Sequence, residues 1–507
     1  MLSRIHLTNF QGYKGPKSID LAPLTLIFGP NSGGKSSVIR SMLLLKQSLA
    51  VGEQSATDLN YVGQSVNLVG FPNVAFGHNT RERMTVGFEI RNTGHLQQIQ
   101  NIGIRYEVDD TGIRVIWLDF DLSVLGKDRD QIPEASKSGH VTVRLEPQLL
   151  DEESESLTGY DMTGGLWRAV RIDHPEILDA LNFSISSALN EKKRETERTR
   201  DDDRSWIDLP DKYLERGEEF WKDVFSGISL RYLIPNERGI GIFNQRNKQN
   251  LEPDVLGAKY ALTLLLTTAN NAINMSFQGL SHLDPLREIP DRIEFGKSVP
   301  NSENSKSNNI NLKRVSGWVE LLTEGRFSLD STNSELSNAS FLGNVTTRLL
   351  IDNHSGTKVS FQDVGVGLSQ VEPILAALNR ATTIRQRRKG IPDRAANGYS
   401  TLLIQQPELH LHPKMQSDLM NVFVEAVSHP NARVQIIAET HSENMVLRLQ
   451  KKIRQREISV DQVSILYAEK DSEGEGNRIV RLELDNDGQF VGNWPLSFLD
   501  IRLDDLL

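Results

Sequence analysis

A short glycine-rich loop near the start of the chain restricts its fold more than any other feature of the sequence. The loop reads Gly29-Pro30-Asn31-Ser32-Gly33-Gly34-Lys35-Ser36. It matches the pattern G-x-x-x-x-G-K-[ST] at every fixed position. The apolar run Leu24–Phe28 before the loop predicts a buried strand, and apolar residues at helical spacing over Lys35–Ala50 predict a helix after it. A strand, this loop and a helix in succession predict an α/β domain built around a P-loop.

The residue types of this loop are those that bind phosphate. Glycines let successive backbone N–H groups point at phosphate oxygens, and the N-terminus of the following helix adds a positive dipole. Lys35 can reach the β- and γ-phosphates of a nucleotide, and Ser36 can offer its hydroxyl to Mg²⁺. We therefore expect the loop, together with Ser37 behind it, to bind ATP and Mg²⁺.

Composition sets outer limits on the function. The chain has 507 residues, no cysteine, and 57 Lys and Arg against 67 Asp and Glu, which gives a net charge of −10. The lack of thiols excludes disulfides, zinc sites with Cys ligands and a Cys nucleophile. The acidic balance argues against a surface coated with positive charge for nucleic acid, but it is compatible with a local basic groove. At about 100–200 residues per domain, this length predicts two to four compact units.

The apolar segments of the chain are short. None approaches the roughly 20 residues that cross a bilayer. The start, Met1-Leu2-Ser3-Arg4, leads into an alternating strand pattern and not into the apolar region of a signal peptide. We expect a soluble, cytoplasmic protein with no membrane partner.

The pattern of residues changes along the chain. Residues 84–90, 102–108 and 113–120 are rich in β-formers, and a turn sequence at 109–112 joins the last two, which predicts an antiparallel β subdomain. Residues from about 205 to 300 have a largely helical pattern, and alternating strands and helices return at about 340.

A second group of motifs lies near the far end of the chain. The apolar residues 402–404 lead into the sequence QQPELHLHP at 405–413, and a later strand leads into Glu439-Thr440-His441-Ser442. Upstream, the glycine-rich sequence DVGVGLSQ at 363–370 precedes a helix that we expect to begin near Ser369. A P-loop site needs a second strand whose end supplies an acid for Mg²⁺ and a base for water. The strand at 402–404 is the candidate.

Taken together, these motifs resemble those of ABC-type ATPase heads of the SMC/RecF/OLD superfamily. The closer resemblance is to bacterial AAA-type ATPases whose core strand runs into EQPELHLHP. The sequences LTNF and LAPLTLIFGPNSGGKSS near the start, QIIAETHSENMVLRLQ, and a tail containing WPLSF all match that group. The resemblance covers roughly residues 1–90 and 345–507. Several such ATPases act in bacterial anti-phage defence beside a nuclease or another effector.

The resemblance implies a P-loop ABC-type ATPase head, which is a mixed sheet flanked by helices with an antiparallel β subdomain. It divides the chain into an N-terminal half of the head at 1–150, a mainly helical insertion at 151–340, and a C-terminal half of the head at 341–507.

The resemblance also implies roles for single residues. The signature-like segment would bind the γ-phosphate of ATP held by a second protomer, in a homodimer or higher oligomer. Its residues are Gly365, Gly367, Ser369 and Gln370. His441 would be the switch histidine near the γ-phosphate, and Gln64 is a candidate for the glutamine that senses Mg²⁺ and the attacking water. The alternatives are a helix cap at Gly365 and Ser369, a structural histidine at a strand end, and an ordinary loop residue at Gln64.

The chain departs from the ATPase pattern where the core strand ends. ABC-type heads carry two acids there, and this chain has Gln405 and Gln406. Glu408, two positions later, is expected to substitute for them in part. A glutamine amide can ligate Mg²⁺ through its oxygen, but it has no charge and cannot take a proton from water. We predict that the chain binds ATP and Mg²⁺ and hydrolyses ATP slowly or not at all. Either an engineered Glu→Gln substitution at Gln405 or a naturally weakened ATPase would explain the pattern.

Two further motifs have simpler explanations than a metal site. His410 and His412 lack a third ligand at suitable spacing and belong to the PELHLHP pattern. The sequence DNDG at 485–488 resembles the start of a calcium loop, but the twelfth position is Leu496 and not a bidentate Glu. A hairpin turn is the better interpretation of that segment.

The sequence contains no motif for a nuclease of its own. The residues after His441 do not have the early Glu and later Asp-x-Asp of a Toprim domain. We therefore expect an ATP-gated sensor or scaffold that acts with a separate effector protein.

Nucleic acid is a further candidate ligand, either DNA or RNA. Two basic groups could contact it, namely Arg385, Arg387, Arg388 and Lys389, and Lys451, Lys452, Arg454 and Arg456. Arg238 could reach a nucleotide or a partner. Three hypotheses follow: an ATPase of a defence module that controls an effector, a RecF/SMC-like repair ATPase that clamps DNA, and a protein scaffold that uses ATP structurally.

Overall fold

A computed structural model gives the structure of the chain. It describes residues 1–50, 59–91, 99–109, 112–123, 140–147, 167–172, 272–273, 275–287, 309–330, 349–382, 399–429, 433–471 and 476–492. The chain forms two compact units, and each is described by itself. One comprises residues 1–18 and 40–278, and the other comprises residues 19–39 and 279–507.

The first unit is built on an antiparallel sheet. Its strands are β1 (Leu2–Thr8), β2 (Lys17–Asp20), β4 (Met84–Arg91), β5 (Ile99–Asp109), β6 (Gly112–Ser123), β7 (His140–Pro147) and β8 (Trp167–Ile172), numbered with β3 of the second unit. They lie in the order β2-β1-β4-β5-β6-β7-β8. Every second residue of β5 from Ile102 to Val108 is buried, as expected of a sheet with one face against a core. The predicted β subdomain is confirmed, and Asp109 at the end of β5 pairs with Gly112 at the start of β6.

The second unit contains a six-stranded mixed sheet. Its strands are β3 (Leu24–Phe28), β9 (Leu280–Leu283), β13 (Ser400–Gln405), β14 (Val434–Glu439), β15 (Val463–Lys470) and β16 (Asn477–Leu482). They lie in the order β16-β15-β3-β14-β13-β9, and only the β15–β16 pair is antiparallel. All residues of β3 and β14 are buried. Both strands are therefore nearly continuous apolar runs in the sequence and do not alternate between apolar and polar residues.

Helices and a small sheet complete the second unit. A three-stranded antiparallel sheet is formed by β10 (Phe327–Leu329), β11 (Leu349–Asp352) and β12 (Lys358–Ser360). The helices are α1 (Lys35–Ala50), which continues into the first unit, and α3 (Asn309–Leu322), α4 (Val366–Thr382), α5 (Pro413–Ser428) and α6 (Glu443–Arg454). The short helix α2 (Phe71–Val74) belongs to the first unit. Trp318 of α3, Phe423 of α5 and Phe28 of β3 are fully buried in the core of the second unit.

The architecture confirms the predicted fold class, a mixed sheet flanked by helices together with an antiparallel β subdomain. Within 151–340, the structure describes β8, β9, α3 and β10, so the mainly helical insertion and the three-part division stay predictions. Arg238, the basic residues at 385–389 and the WPLSF sequence lie outside the described residues. Of the helices that the structure describes, none has the length and apolar character needed to cross a membrane.

The parallel register brings the functional motifs to one edge of the sheet. Gln405 at the end of β13 pairs with Glu439 at the end of β14, and Glu439 pairs with Ile27 near the end of β3. The P-loop follows β3 directly. The carboxyl ends of the three strands, where ligands bind in α/β sheets, therefore meet beside the P-loop.

Candidate functional site

The P-loop connects the end of β3 to the start of α1 and depends on its glycines. Gly29 has a φ of 139° and Gly34 a φ of 94°, values that favour glycine. A Cβ atom at Gly29 or Gly33 would collide with the backbone carbonyl oxygen of Ala468 on the neighbouring strand β15. The motif's glycines are thus required by the packing of the loop against the sheet as well as by its backbone angles.

Lys35 ends the P-loop, and its side chain folds back onto the backbone of the loop. The residue is 3% exposed, and Nζ donates hydrogen bonds to the carbonyl oxygens of Gly29 at 3.0 Å and Pro30 at 2.7 Å. Burial lowers the pKa of Lys35, and the charges of Glu439 and Glu408 partly oppose that change. The arrangement holds an amine on the phosphate-binding loop, close to the carboxylates at the strand ends.

Glu439 joins the P-loop to the core strand. The Ser36 hydroxyl donates to its Oε1 at 2.8 Å, and Nε2 of Gln405 donates to its Oε2 at 2.9 Å. The residue is 4% exposed. The sequence places Glu439 at a strand end but indicates no role for it, because only the sheet order reveals that β14 lies between β3 and β13.

The amide of Gln405 is oriented by its two neighbours. A carboxylate only accepts hydrogen bonds, so the Gln405 amide must turn its NH₂ group towards Glu439. Its Oε1 lies 3.1 Å from Nε2 of His282 on β9, which must then carry the proton. In this arrangement the amide oxygen, the atom expected to ligate Mg²⁺, is engaged by His282.

Arg287 holds the end of β13 in place and was missed by the sequence analysis. Its Nη2 donates to the carbonyl oxygens of Gln405 at 2.9 Å and Gln406 at 3.0 Å, and Nη1 lies 3.4 Å from the carbonyl oxygen of Gln370. Burial lowers the pKa of Arg287 to about 10, with Glu408 and Asp284 opposing the change, so the guanidinium is charged at neutral pH. Nothing in the local sequence indicates this role.

Gln406 occupies a restricted backbone conformation. Its φ is 45°, which is uncommon outside glycine, and its N–H donates to the carbonyl oxygen of Glu439 at 2.7 Å. The backbone, more than the amide side chain, connects Gln406 to the neighbouring strand.

Glu408 fixes the turn that carries His441. Its Oε2 accepts from the Thr440 hydroxyl at 2.7 Å, and its Oε1 accepts from the His441 N–H at 2.7 Å. Because both carboxylate oxygens are engaged, the geometry favours a positioning role for Glu408 over the partial catalytic role suggested by its sequence position.

His441 is half-buried at this turn. Burial lowers its pKa, the Lys35 charge lowers it further, and Glu408 and Glu439 act in the opposite direction. The imidazole is therefore neutral at pH 7. This places a neutral hydrogen-bonding ring within the electrostatic influence of the P-loop lysine.

The signature-like segment starts its helix earlier than predicted. Helix α4 begins at Val366, not near Ser369, because Gly365 with a φ of 110° ends the preceding turn. Ser369 is 2% exposed, and its hydroxyl lies 2.8 Å from the Phe361 carbonyl oxygen and 3.0 Å from that of Gly365. Gln370 is also buried.

The exposed part of this segment is therefore its glycine-containing N-terminus. Gly365 and Val366 are exposed, and Gly367 is partly exposed. The role of the segment towards a partner's nucleotide stays a prediction, and the geometry favours backbone N–H groups over the Ser369 hydroxyl.

Gln64 lies in a loop of the first unit. It is exposed in a bend between Val62 and Asn67, which form an isolated bridge. Gln47 of α1 anchors this loop, since its amide bonds the N–H and the carbonyl oxygen of Val66 at 3.1 and 3.0 Å. The proposed role of Gln64 in sensing Mg²⁺ stays a prediction.

Two remaining segments have local explanations. Nδ1 of His412 accepts from the Lys414 N–H at 3.4 Å and caps α5. The N–H of Gly488 donates to the Asp485 carbonyl oxygen at 3.0 Å, which confirms the predicted turn.

The basic residues at the end of α6 partly bind their own chain. Lys452 pairs with Glu457 at 2.7 Å, and Arg454 donates to the Asp487 carbonyl oxygen at 3.2 Å. A nucleic-acid role for this group stays a prediction.

A protein-family model described as an AAA ATPase domain matches residues 1–227 and 242–446. No curated protein matches the chain.

Three of the solved structures that are similar to the chain are SMC head domains. One, bound to the C-winged helix domain of ScpA, is 12% identical, with 96% of this chain and 98% of that chain covered and a TM-score of 0.37. A second, with an extended coiled coil and bound to the C-terminal domain of ScpA derived from Pyrococcus furiosus, is 12% identical, with 100% and 99% covered and a TM-score of 0.38. A third, from Thermotoga maritima, is 9% identical, with 95% and 99% covered and a TM-score of 0.35. At these TM-scores the likeness carries no argument.

Proposed function

The chain belongs to the family of AAA ATPase domains, and from this premise we propose that it binds ATP with Mg²⁺ and hydrolyses it slowly or not at all. One observation carries the proposal. A complete P-loop lies at the same edge of the sheet as the end of β13, which offers the amides of Gln405 and Gln406 in place of carboxylates.

Nucleotide binding would use the loop and the start of α1. Backbone N–H groups between Gly29 and Ser37 would surround the phosphates, and Lys35 would exchange its bonds to the loop carbonyls for bonds to the β- and γ-phosphates. Such an exchange keeps the buried ammonium hydrogen-bonded throughout.

The residues beside the loop fit Mg²⁺. This ion takes oxygen ligands, and the Ser36 hydroxyl and the Glu439 carboxylate provide them within 2.8 Å of each other. Bound Mg²⁺ would neutralise charge on the phosphate oxygens. The oxygen of Gln405 could join only if its amide turned away from His282.

Slow hydrolysis follows from the groups near the strand ends. The amides of Gln405 and Gln406 cannot accept a proton from water, and the Glu408 carboxylate is committed to the turn after β14. His441 is neutral and could hydrogen-bond water, but its lowered pKa makes it a weak base. We assign His441 the sensing of the γ-phosphate.

We further infer assembly into a homodimer or higher oligomer with ATP between protomers. The exposed N-terminus of α4 at Gly365–Gly367 supports this, because helix N-termini favour anions. An ATP-binding protein that turns over slowly suits a sensor or scaffold that regulates a separate effector, such as a nuclease, in bacterial anti-phage defence.

Equilibrium binding of ATP tests the proposal. Lys35→Ala should weaken binding at least about 10-fold, because a charged hydrogen bond contributes roughly 1.5–3 kcal/mol and about 1.4 kcal/mol is tenfold. Lys470→Ala, at an exposed position at the end of β15, is the matched control and should bind as the wild type does. Equal affinity in both variants would contradict the P-loop assignment.

Three further measurements separate the biological hypotheses. Co-purification with the nuclease of an adjacent gene would favour the defence module. Salt-dependent DNA binding that strengthens with ATP would favour the DNA clamp. Oligomerisation that Lys35→Ala leaves unchanged would favour the structural scaffold.

A further inference from the structure

The strand next to the P-loop strand is β14, and not the core strand β13 on which the sequence motif falls. Glu439 is the last residue of β14 and lies in register with Ile27 on one side and Gln405 on the other. An acid at this strand end is therefore closer in the sheet to the P-loop than the two positions that normally carry acids.

The surroundings of Glu439 are those of a carboxylate held for a cation. It is nearly fully buried and accepts hydrogen bonds from Ser36 and Gln405. Within the part of the chain that the structure describes, no basic side chain forms an ion pair with it within 4.0 Å. A buried ionised carboxylate is costly unless a counter-charge compensates it. The charge of Lys35 acts on the same cluster, but its Nζ bonds the loop carbonyls.

Ser36 connects this carboxylate to nucleotide chemistry. Its hydroxyl is the P-loop group that ligates Mg²⁺, and it donates directly to Glu439 at 2.8 Å. A cation that took the place of this hydrogen bond, with the Ser36 O–H rotated away and its proton kept, would gain a neutral hydroxyl oxygen and a carboxylate oxygen as ligands. Gln405 offers no charge, and its oxygen is engaged by His282.

We propose that Glu439 is the carboxylate that holds the Mg²⁺ accompanying ATP, in place of the acids absent at 405 and 406. The inference rests on the proposed function, because the ion arrives with the nucleotide. Gln405 then acts as a positioning residue, whose NH₂ group orients the Glu439 carboxylate towards Ser36.

The glutamine at 405 is consistent with this arrangement. A glutamate there would put a second carboxylate about as close to Glu439 as the present amide, 2.9 Å away. Two carboxylates at such a distance cannot both ionise without a cation between them. One ionised acid and one amide are stable both with and without the ion.

Binding of Mn²⁺ to the full-length protein saturated with ATPγS tests the proposal by electron paramagnetic resonance. Glu439→Gln should weaken Mn²⁺ binding at least about 10-fold. Loss of a residue that only hydrogen-bonds a metal ligand already weakens metal binding by about that factor, and loss of a ligand should cost at least as much. ATPγS affinity measured in EDTA should stay the same or increase, because a negative charge near the phosphates is removed. Glu457→Gln removes an exposed carboxylate of the same unit and is the matched control. It should bind Mn²⁺ as the wild type does.

Gln405→Glu provides a second, independent variant. It adds a carboxylate beside Glu439 and should strengthen Mn²⁺ binding about 10-fold or more. Wild-type Mn²⁺ affinity in Glu439→Gln, or no gain in Gln405→Glu, would overturn the assignment. Failure of the wild type to bind ATPγS with or without Mn²⁺ would instead contradict the proposed function, so the two failures are distinguishable.

Discussion

Two side chains at adjacent strand ends, Glu439 and Gln405, determine the electrostatics of the site. Their hydrogen bond of 2.9 Å pairs a charged acceptor with a neutral donor. The pair places one carboxylate beside the P-loop in a chain whose core-strand motif has amides at both acidic positions.

Gln405→Glu should destabilise the protein without nucleotide. Two carboxylates in contact raise the pKa of one of them above its unfolded value. The destabilisation is therefore largest above that raised pKa and disappears as the pH falls below the ordinary value of about 4.3. A pKa that rises by one costs the folded state about 1.4 kcal/mol at high pH. Thermal unfolding at pH 8 and pH 5 should show a gap between variant and wild type that narrows at pH 5 and on addition of ATP and Mg²⁺. A gap independent of pH would contradict the pairing.

The pH response of His441 is a second prediction at the residue scale. Its pKa in the folded state is lowered by burial and by Lys35. A lowered pKa means that the unfolded state binds more protons. This contribution to stability is therefore fully present above about 6.5 and is lost as the pH falls from there through the lower pKa of the folded state. Unfolding between pH 8 and pH 5 should show a smaller loss of stability in His441→Gln than in the wild type. An equal loss in both proteins would assign the effect to other groups.

At the scale of elements, Arg287 connects β13 to α4. It donates to the carbonyl oxygens at the end of β13 and approaches that of Gln370 in α4. Through these bonds, the core-strand motif and the signature-like segment share one buried cation. A substitution that moves the end of β13 should therefore also move the start of α4, and the reverse.

Arg287→Ala should lower the free energy of unfolding by about 1–3 kcal/mol, because it removes a buried guanidinium that donates to three carbonyl oxygens. Arg326→Ala is the matched control, since the Arg326 side chain is 63% exposed and its ion pair with Asp352 is 3.8 Å long. That variant should lose less than about 1 kcal/mol. Denaturant unfolding of both variants gives the comparison, and equal losses would show that the Arg287 bonds are unimportant.

The P-loop glycines permit a paired test as well. Gly33→Ala should impair ATP binding, since its Cβ would meet the Ala468 carbonyl oxygen and force the loop to shift. Gly317 lies in α3, and a Cβ atom there would have nothing within 4 Å. Gly317→Ala should leave ATP binding unchanged and stabilise the protein by roughly 0.5–1 kcal/mol. Normal ATP affinity in Gly33→Ala would contradict the predicted collision.

At the scale of the whole molecule, features formed by residues close together in the sequence could be predicted, and contacts between residues far apart in the sequence could not. The P-loop, β3 and α1 are local patterns, and the structure has them at the predicted bounds. The Ser36–Glu439 bond joins residues 403 positions apart, and it requires knowing that β14 lies between β3 and β13. Periodicity cannot supply a strand order. Arg287 was missed for the same reason.

The signature-like segment shows a second limit. The glycines at 365 and 367 predicted a turn before a helix, which the structure has. The helix start at Val366 turns Ser369 into the interior, where its hydroxyl bonds the preceding turn. The helix begins less than one turn earlier than predicted, and this difference decides whether Ser369 is an exposed phosphate ligand or a buried residue. Helix boundaries are the least certain part of a prediction from sequence.

We propose above that this AAA ATPase domain protein binds ATP and Mg²⁺ while turning ATP over slowly or not at all. The most direct test is the fate of bound nucleotide, measured by chromatography of quenched samples at saturating ATP and Mg²⁺. We expect that ATP binds, that it is recovered as ATP over many minutes, and that Lys35→Ala retains less of it than the wild type does. Turnover within the ordinary range of about 1–100 s⁻¹ would contradict the proposal.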